Sequence, residues 1–175
     1  MADTSGSRLK FEFMLGGGPP VFMTYPESAD STAWDVGAIL MLDSSGHLTQ
    51  HTTGAAGTGC FAVATEPMAA TADGSYDTVV HLITPMSVFS AVVCNATTAS
   101  AHPDPAMTGK TYEVEKTTAI TSATNTWVID GGTTSNVGAY IIGMKDTSAT
   151  QYGRAYFIFN KIYGQESPFY SEASS

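Results

Sequence analysis

Leu9, Phe11 and Phe13 fall on one side of an extended chain and Lys10 and Glu12 on the other, an alternation of period two that predicts a strand. The same reading, supported by Val, Ile, Thr and aromatic side chains, predicts strands over residues 21–25, 36–42, 60–65, 78–84 and 86–93. It continues over residues 111–116, 126–130, 137–144 and 154–160, with Gly, Ser, Thr and Asn clusters between. No stretch of helical length repeats every 3.6 residues. The one helical turn expected is 28–34, with Ser28 or Asp30 as its N-cap, and Pro67 interrupts the Ala-rich run 62–72. Short strands at this spacing predict an all-β chain, a small β-barrel or sandwich with extended N- and C-terminal arms.

The expected organisation is an N-terminal arm over residues 1–28, a β domain over 29–160 and a C-terminal tail over 161–175. A weak internal echo links Phe61-Ala62-Val63-Ala64 and the run 78–83 with Tyr140-Ile141-Ile142-Gly143 and the run 155–159. It raises a division of the domain into two related subdomains, 29–100 and 107–160. Gly16-Gly17-Gly18-Pro19-Pro20 reads as a flexible stretch followed by a rigid one. Aromatic residues stud the ends. Phe11, Phe13, Phe22, Tyr163, Phe169 and Tyr170 are candidate anchors for subunit or partner interfaces, although Phe11, Phe13 and Phe22 also suit the chain's own core.

Composition narrows the function. Leu, Ile, Val and Phe make up 33 of 175 residues, so the core must also draw on Met, Tyr and Ala, which bring the hydrophobic share to 43%. Seven basic against 16 acidic residues leave a net charge of −9 with no basic cluster, which argues against nucleic acid and anionic membrane surfaces as partners. The N-terminus lacks the apolar core of a secretion signal, and no window is long and apolar enough for a spanning helix, so synthesis in the cytoplasm is expected. Cys60 and Cys94 sit in apolar runs and read as buried free thiols.

Motifs for chemistry are missing. There is no G-x-S-x-G nucleophile turn and no phosphate-binding glycine loop, since Gly16-Gly17-Gly18 runs into two prolines. His47 and His51 have the i, i+4 spacing of a helical zinc pair but lie in an extended stretch, where they stand roughly 13 Å apart. His81 and His102 have no partner nearby. Asp73, Asp77, Glu113 and Glu115 supply carboxylates that sequence alone cannot place across a cleft. Asp43-Ser44-Ser45-Gly46, Asp73-Gly74 and Asp130-Gly131-Gly132 read as turns. The expectation is a non-enzyme without cofactor or metal.

The run Val36-Gly37-Ala38-Ile39-Leu40-Met41-Leu42-Asp43-Ser44-Ser45-Gly46-His47-Leu48, then Gly59-Cys60-Phe61-Ala62-Val63-Ala64, is similar to the barrel strands of capsid decoration (cement) proteins of tailed bacteriophages. Val137-Gly138-Ala139-Tyr140-Ile141-Ile142-Gly143 and Arg154-Ala155-Tyr156-Phe157-Ile158-Phe159 look like closing strands of such a barrel. The resemblance covers residues 29–160 and has no residue-level signature. It implies a structural virion protein on the outer surface of the head, often a homotrimer, that bridges neighbouring copies of the major capsid protein and stabilises the expanded shell. The alternative is another β-rich virion component, such as a head fibre, tail or glycan-binding module, for which Trp34, Trp127 and Tyr152 would form the sugar platform.

Overall fold

A computed structural model of the chain describes residues 9–28, 33–51, 60–69, 76–94, 102–117, 126–132, 138–146, 152–162 and 165–166. The first strands are β1 (Lys10–Met14), β2 (Phe22–Pro26), β3 (Ile39–Leu42), β4 (Leu48–Gln50), β5 (Ala62–Ala64) and β6 (Asp77–Leu82). They are followed by β7 (Ser87–Cys94), β8 (Thr111–Thr117), β9 (Thr126–Asp130), β10 (Ala139–Met144) and β11 (Arg154–Phe159). A short hairpin, β12 (Lys161–Ile162) and β13 (Gln165–Glu166), comes after them. The all-β reading holds. The helical element among the described residues is one 3₁₀ turn, Pro105–Met107, whose first amide is capped by the Asp104 carboxylate.

Two rings of five strands make up the body. In the first, the order is β2-β6-β5-β3-β4, all antiparallel, and the ends meet where Glu27 bridges Leu48 in parallel, with the Ser28 amide donating to the Leu48 carbonyl at 2.8 Å. In the second, the order is β7-β11-β10-β8-β9, and β9 returns to β7 in parallel through Val93–Ile129 and Cys94–Asp130. Numbering the strands of each ring one to five in chain order gives the same circuit, one-five-four-two-three and back to one.

The correspondence extends to single hydrogen bonds. The Gly37 amide donates to the Ala64 carbonyl and the Ala64 amide to the Ala38 carbonyl; the Gly109 amide donates to the Ile141 carbonyl and the Ile141 amide to the Lys110 carbonyl. Gly37 and Gly109 both hold a positive φ, at 85° and 80°, where side chains are strained and glycine is not. The pair Ile39–Val63 matches Thr111–Tyr140, and Val63–His81 matches Tyr140–Ile158. The parallel closures match as Glu27–Leu48 and Val93–Ile129. The chain is therefore an internal duplication in topology. The sequence echo pairs the right hairpins, with the run 78–83 in register with 155–159 but the first strand shifted, because Phe61 is the counterpart of Gly138 rather than of Tyr140.

Boundaries move accordingly. β2, expected inside an N-terminal arm, is the first strand of the first ring, and β7, expected with the subdomain 29–100, opens the second. The division falls at the turn between β6 and β7. β1 also belongs to the body, lying antiparallel along β7. Its alternation explains this, because Phe11 turns inward to pack on Phe89 and His81 at 5.9 and 4.1 Å. One apolar core runs through both rings, from Trp34, Ile39, Leu40 and Val80 to Trp127, Ile129, Ile141 and Phe157. Of the expected helical turn 28–34, residues 29–32 lie outside the described residues. The bridge between Trp34 and Met68 fastens the chain just after them.

Candidate functional site

The exposed large apolar side chains are not scattered. Among the described residues, Phe13 on β1, Val21, Phe22 and Met23 at β2, Tyr76 and Val79 at β6, and Met86 in the turn after β6 account for all but Tyr152. They lie on connected elements: β2 pairs with β6, the Leu82 amide bonds the Val21 carbonyl, and the Leu15 amide bonds the Met86 carbonyl. A set of this kind on connected elements of an otherwise acidic chain is the candidate interaction surface.

The expected anchors are divided by the fold. Phe11 is half-buried in the cluster with His81 and Phe89 and belongs to the chain's own packing. Phe13 is exposed, its ring edge-on to Tyr156 at 5.9 Å, and Phe22 is exposed with its ring 5.1 Å from His81. Tyr163, Phe169 and Tyr170 lie outside the described residues. Val21, Met23, Val79 and Met86 join the surface although sequence reading placed them in strands without a role. Alternation marks which residues share a face, but not which face lacks a cover.

A polar network fixes β1 in place behind this surface. The Ser90 hydroxyl on β7 donates to the Glu12 carboxylate, and the Lys145 ammonium also reaches Glu12. From β11, the buried Arg154 guanidinium donates to the Ser90 hydroxyl at 2.8 and 3.0 Å and to its carbonyl at 2.6 Å. Burial opposes ionisation of Glu12, but Lys145, Ser90 and Arg154 outweigh it and hold the carboxyl below its ordinary range. The corresponding positions in the first ring are Thr24 for Ser90 and Asp77 for Arg154, which cannot build this clamp.

Carboxylates also gather on the outer side of the second ring. Glu113, Glu115 and Asp130 bring one oxygen each within 4.8 Å of one another, because Glu113 lies directly across from Asp130 and Glu115 is on the same face of β8. Burial and mutual repulsion push Glu113 and Glu115 up. Hard oxygen ligands of this kind suit calcium or magnesium. Part of the set is structural, since Asp130 accepts the Gly132 amide at 2.9 Å.

Other sequence candidates go to structural roles. Trp34 and Trp127 are buried, so neither is available to a sugar platform. His51 is buried edge-on to Trp127, and His47 stands just before β4, at the end of the turn in which Asp43 accepts the Ser45 and His47 amides at 2.8 and 2.9 Å. Cys60 and Cys94 are buried free thiols, and burial pushes both up to about 12, with Asp130 and Glu115 adding to the effect at Cys94. Asp73 lies outside the described residues. Asp77 and Glu66 line a shallow depression of about 400 Å³ with Tyr76 and Met68, where Glu66 accepts the Val79 amide at 3.2 Å. No described helix is long and apolar enough to cross a membrane. No protein family, curated protein or solved structure matches this chain.

Proposed function

We propose that this chain is a structural virion protein that docks on the outer surface of a tailed-phage head and stabilises the expanded shell by bridging capsomers. The observation that carries the reading is the gathering of exposed apolar residues, Phe13, Phe22 and Met23 among them, on connected elements of a chain of net charge −9. An acidic body stays off packaged DNA, and an uncharged strip gives it one place to adhere to protein. Its work is mechanical: interface free energy added between neighbouring shell subunits opposes the outward pressure of the packed genome. Several weak contacts per assembly multiply through effective concentration.

The test is binding of the purified protein to expanded and unexpanded heads of the phage that encodes it, read by co-sedimentation and cryo-electron microscopy. Stoichiometric density on expanded heads alone is expected, with Phe13→Ser weakening it by about tenfold or more. Absence of the protein from virions and indifference to both head forms would overturn the reading.

A further inference from the structure

The duplication supplies a comparison that a single barrel lacks. Val21, Phe22, Met23 and Thr24 stand at the positions that Ser87, Val88, Phe89 and Ser90 hold in the second ring, since Met23 faces Val80 as Phe89 faces Phe157. The four in the second ring are 0% exposed, whereas Val21, Phe22 and Met23 are 39%, 52% and 45% exposed. The difference has one visible source. β1 lies along that edge of β7, pairing Lys10 with Ser90 and Met14 with Ser87, whereas among the described residues no strand lies along the same edge of β2 over residues 21–24, β4 joining it only at Glu27.

The edge is open in its backbone as well. The Val21 carbonyl and the Glu27 amide bond to β6, at 2.9 and 3.0 Å, so by the alternation of an antiparallel ladder the odd-numbered residues of β2 face β6. The amide and carbonyl of Phe22 and of Thr24 therefore point away from the sheet, and among the described residues none bonds to them. Unpaired strand edges of this kind are templates for another strand.

We propose that this edge pairs with β2 of a second copy of the chain, antiparallel about a two-fold axis at Met23. The register is self-complementary. Phe22 then faces Thr24 of the second copy, so both outward amides on each side meet outward carbonyls, and Met23 meets its own counterpart. Pro20 and Pro26 fall opposite each other at the ends, where neither has an amide to leave unbonded. Residues 13–26 carry no charged side chain, so two chains of net charge −9 approach here without local repulsion. The paired span covers the same positions along β2 that β1 covers along β7. This inference stands on the edge geometry and does not require a viral shell.

Sedimentation of the full chain over a concentration series tests it, with a dimer of two 18.3 kDa chains expected at the upper end. Thr24→Pro removes an amide that β6 does not use, and is expected to weaken the dimer roughly thirtyfold through the two bonds it deletes. Met23→Cys is expected to form an intermolecular disulfide under mild oxidation, because non-hydrogen-bonded antiparallel pairs hold their Cα atoms about 4.5 Å apart. Tyr152→Cys, exposed elsewhere, is expected to remain uncrosslinked. A wild type that stays one chain in mass throughout, or a dimer in which Met23→Cys does not cross-link, overturns the proposal. Cross-linking of Met23→Cys to a shell protein in place of its own kind also overturns it and assigns the edge to that partner.

Discussion

His81 makes the chain's stability sensitive to acid. Its ring is enclosed by Phe11, Phe22 and Phe89, and burial lowers its pKa from 6.5 to about 4. Below the ordinary value the unfolded chain binds a proton that the folded chain refuses, so stability falls as pH drops from 6.5 towards 4, by ~2–3 kcal/mol in total. The counterpart in the second ring is Ile158. His81→Ile is therefore expected to remove this part of the acid sensitivity, and urea unfolding at neutral pH and near pH 4 checks it; equal losses in variant and wild type would contradict the account. Glu12 acts in the same direction further down. Held below its ordinary range, it stabilises the fold fully above that range and ceases to as pH falls through the depressed value. Glu113 and Glu115 have the opposite sign, because their raised values mean that protonation relieves the folded state first.

At the scale of elements, the two glycines that open β3 and β8 offer a matched test. Gly109 has φ +80°, and an added Cβ would meet only the Tyr140 hydroxyl at an ordinary 3.9 Å, so the cost of Gly109→Ala is conformational rather than steric. It is expected to be about 1–2 kcal/mol. Gly37→Ala, at φ 85° in the same hydrogen-bonded setting but at a buried position, is expected to cost at least as much, as chemical denaturation would show. Strands were largely readable from alternation and β-branched side chains, and residues 126–130 match β9 end to end. Leu48–Gln50 was not, because three residues carry too little period to separate a strand from an extended loop. The parallel closures were also hidden. They join the first and third strands of each ring, which share no hairpin turn and leave no local signature. Of the exposed apolar set, Phe13 and Phe22 were visible as aromatics near the N-terminus. Exposure of Val21, Met23 and Val79 depends on which neighbouring strand is missing, a property of the assembled sheet.

The whole molecule couples its halves through one core. Phe11 and His81 join the rings on one side, and on another Lys116 from β8 donates to Gln50 at the end of β4 at 2.9 Å while His51 meets Trp127. With apolar contacts continuous from Trp34 to Phe159, the two rings are expected to unfold in a single transition in which calorimetric and van't Hoff enthalpies agree. Two resolved transitions would show that the shared core is too thin to couple them.

Because the rings share strand order and much of their register, many positions have a twin in a different setting. Met23 and Phe89, Leu40 and Tyr112, Ala62 and Ala139 each form such a couple. A change made at one member and repeated at the other separates what the peptide geometry dictates from what the surroundings impose, so this polypeptide carries its own control experiment.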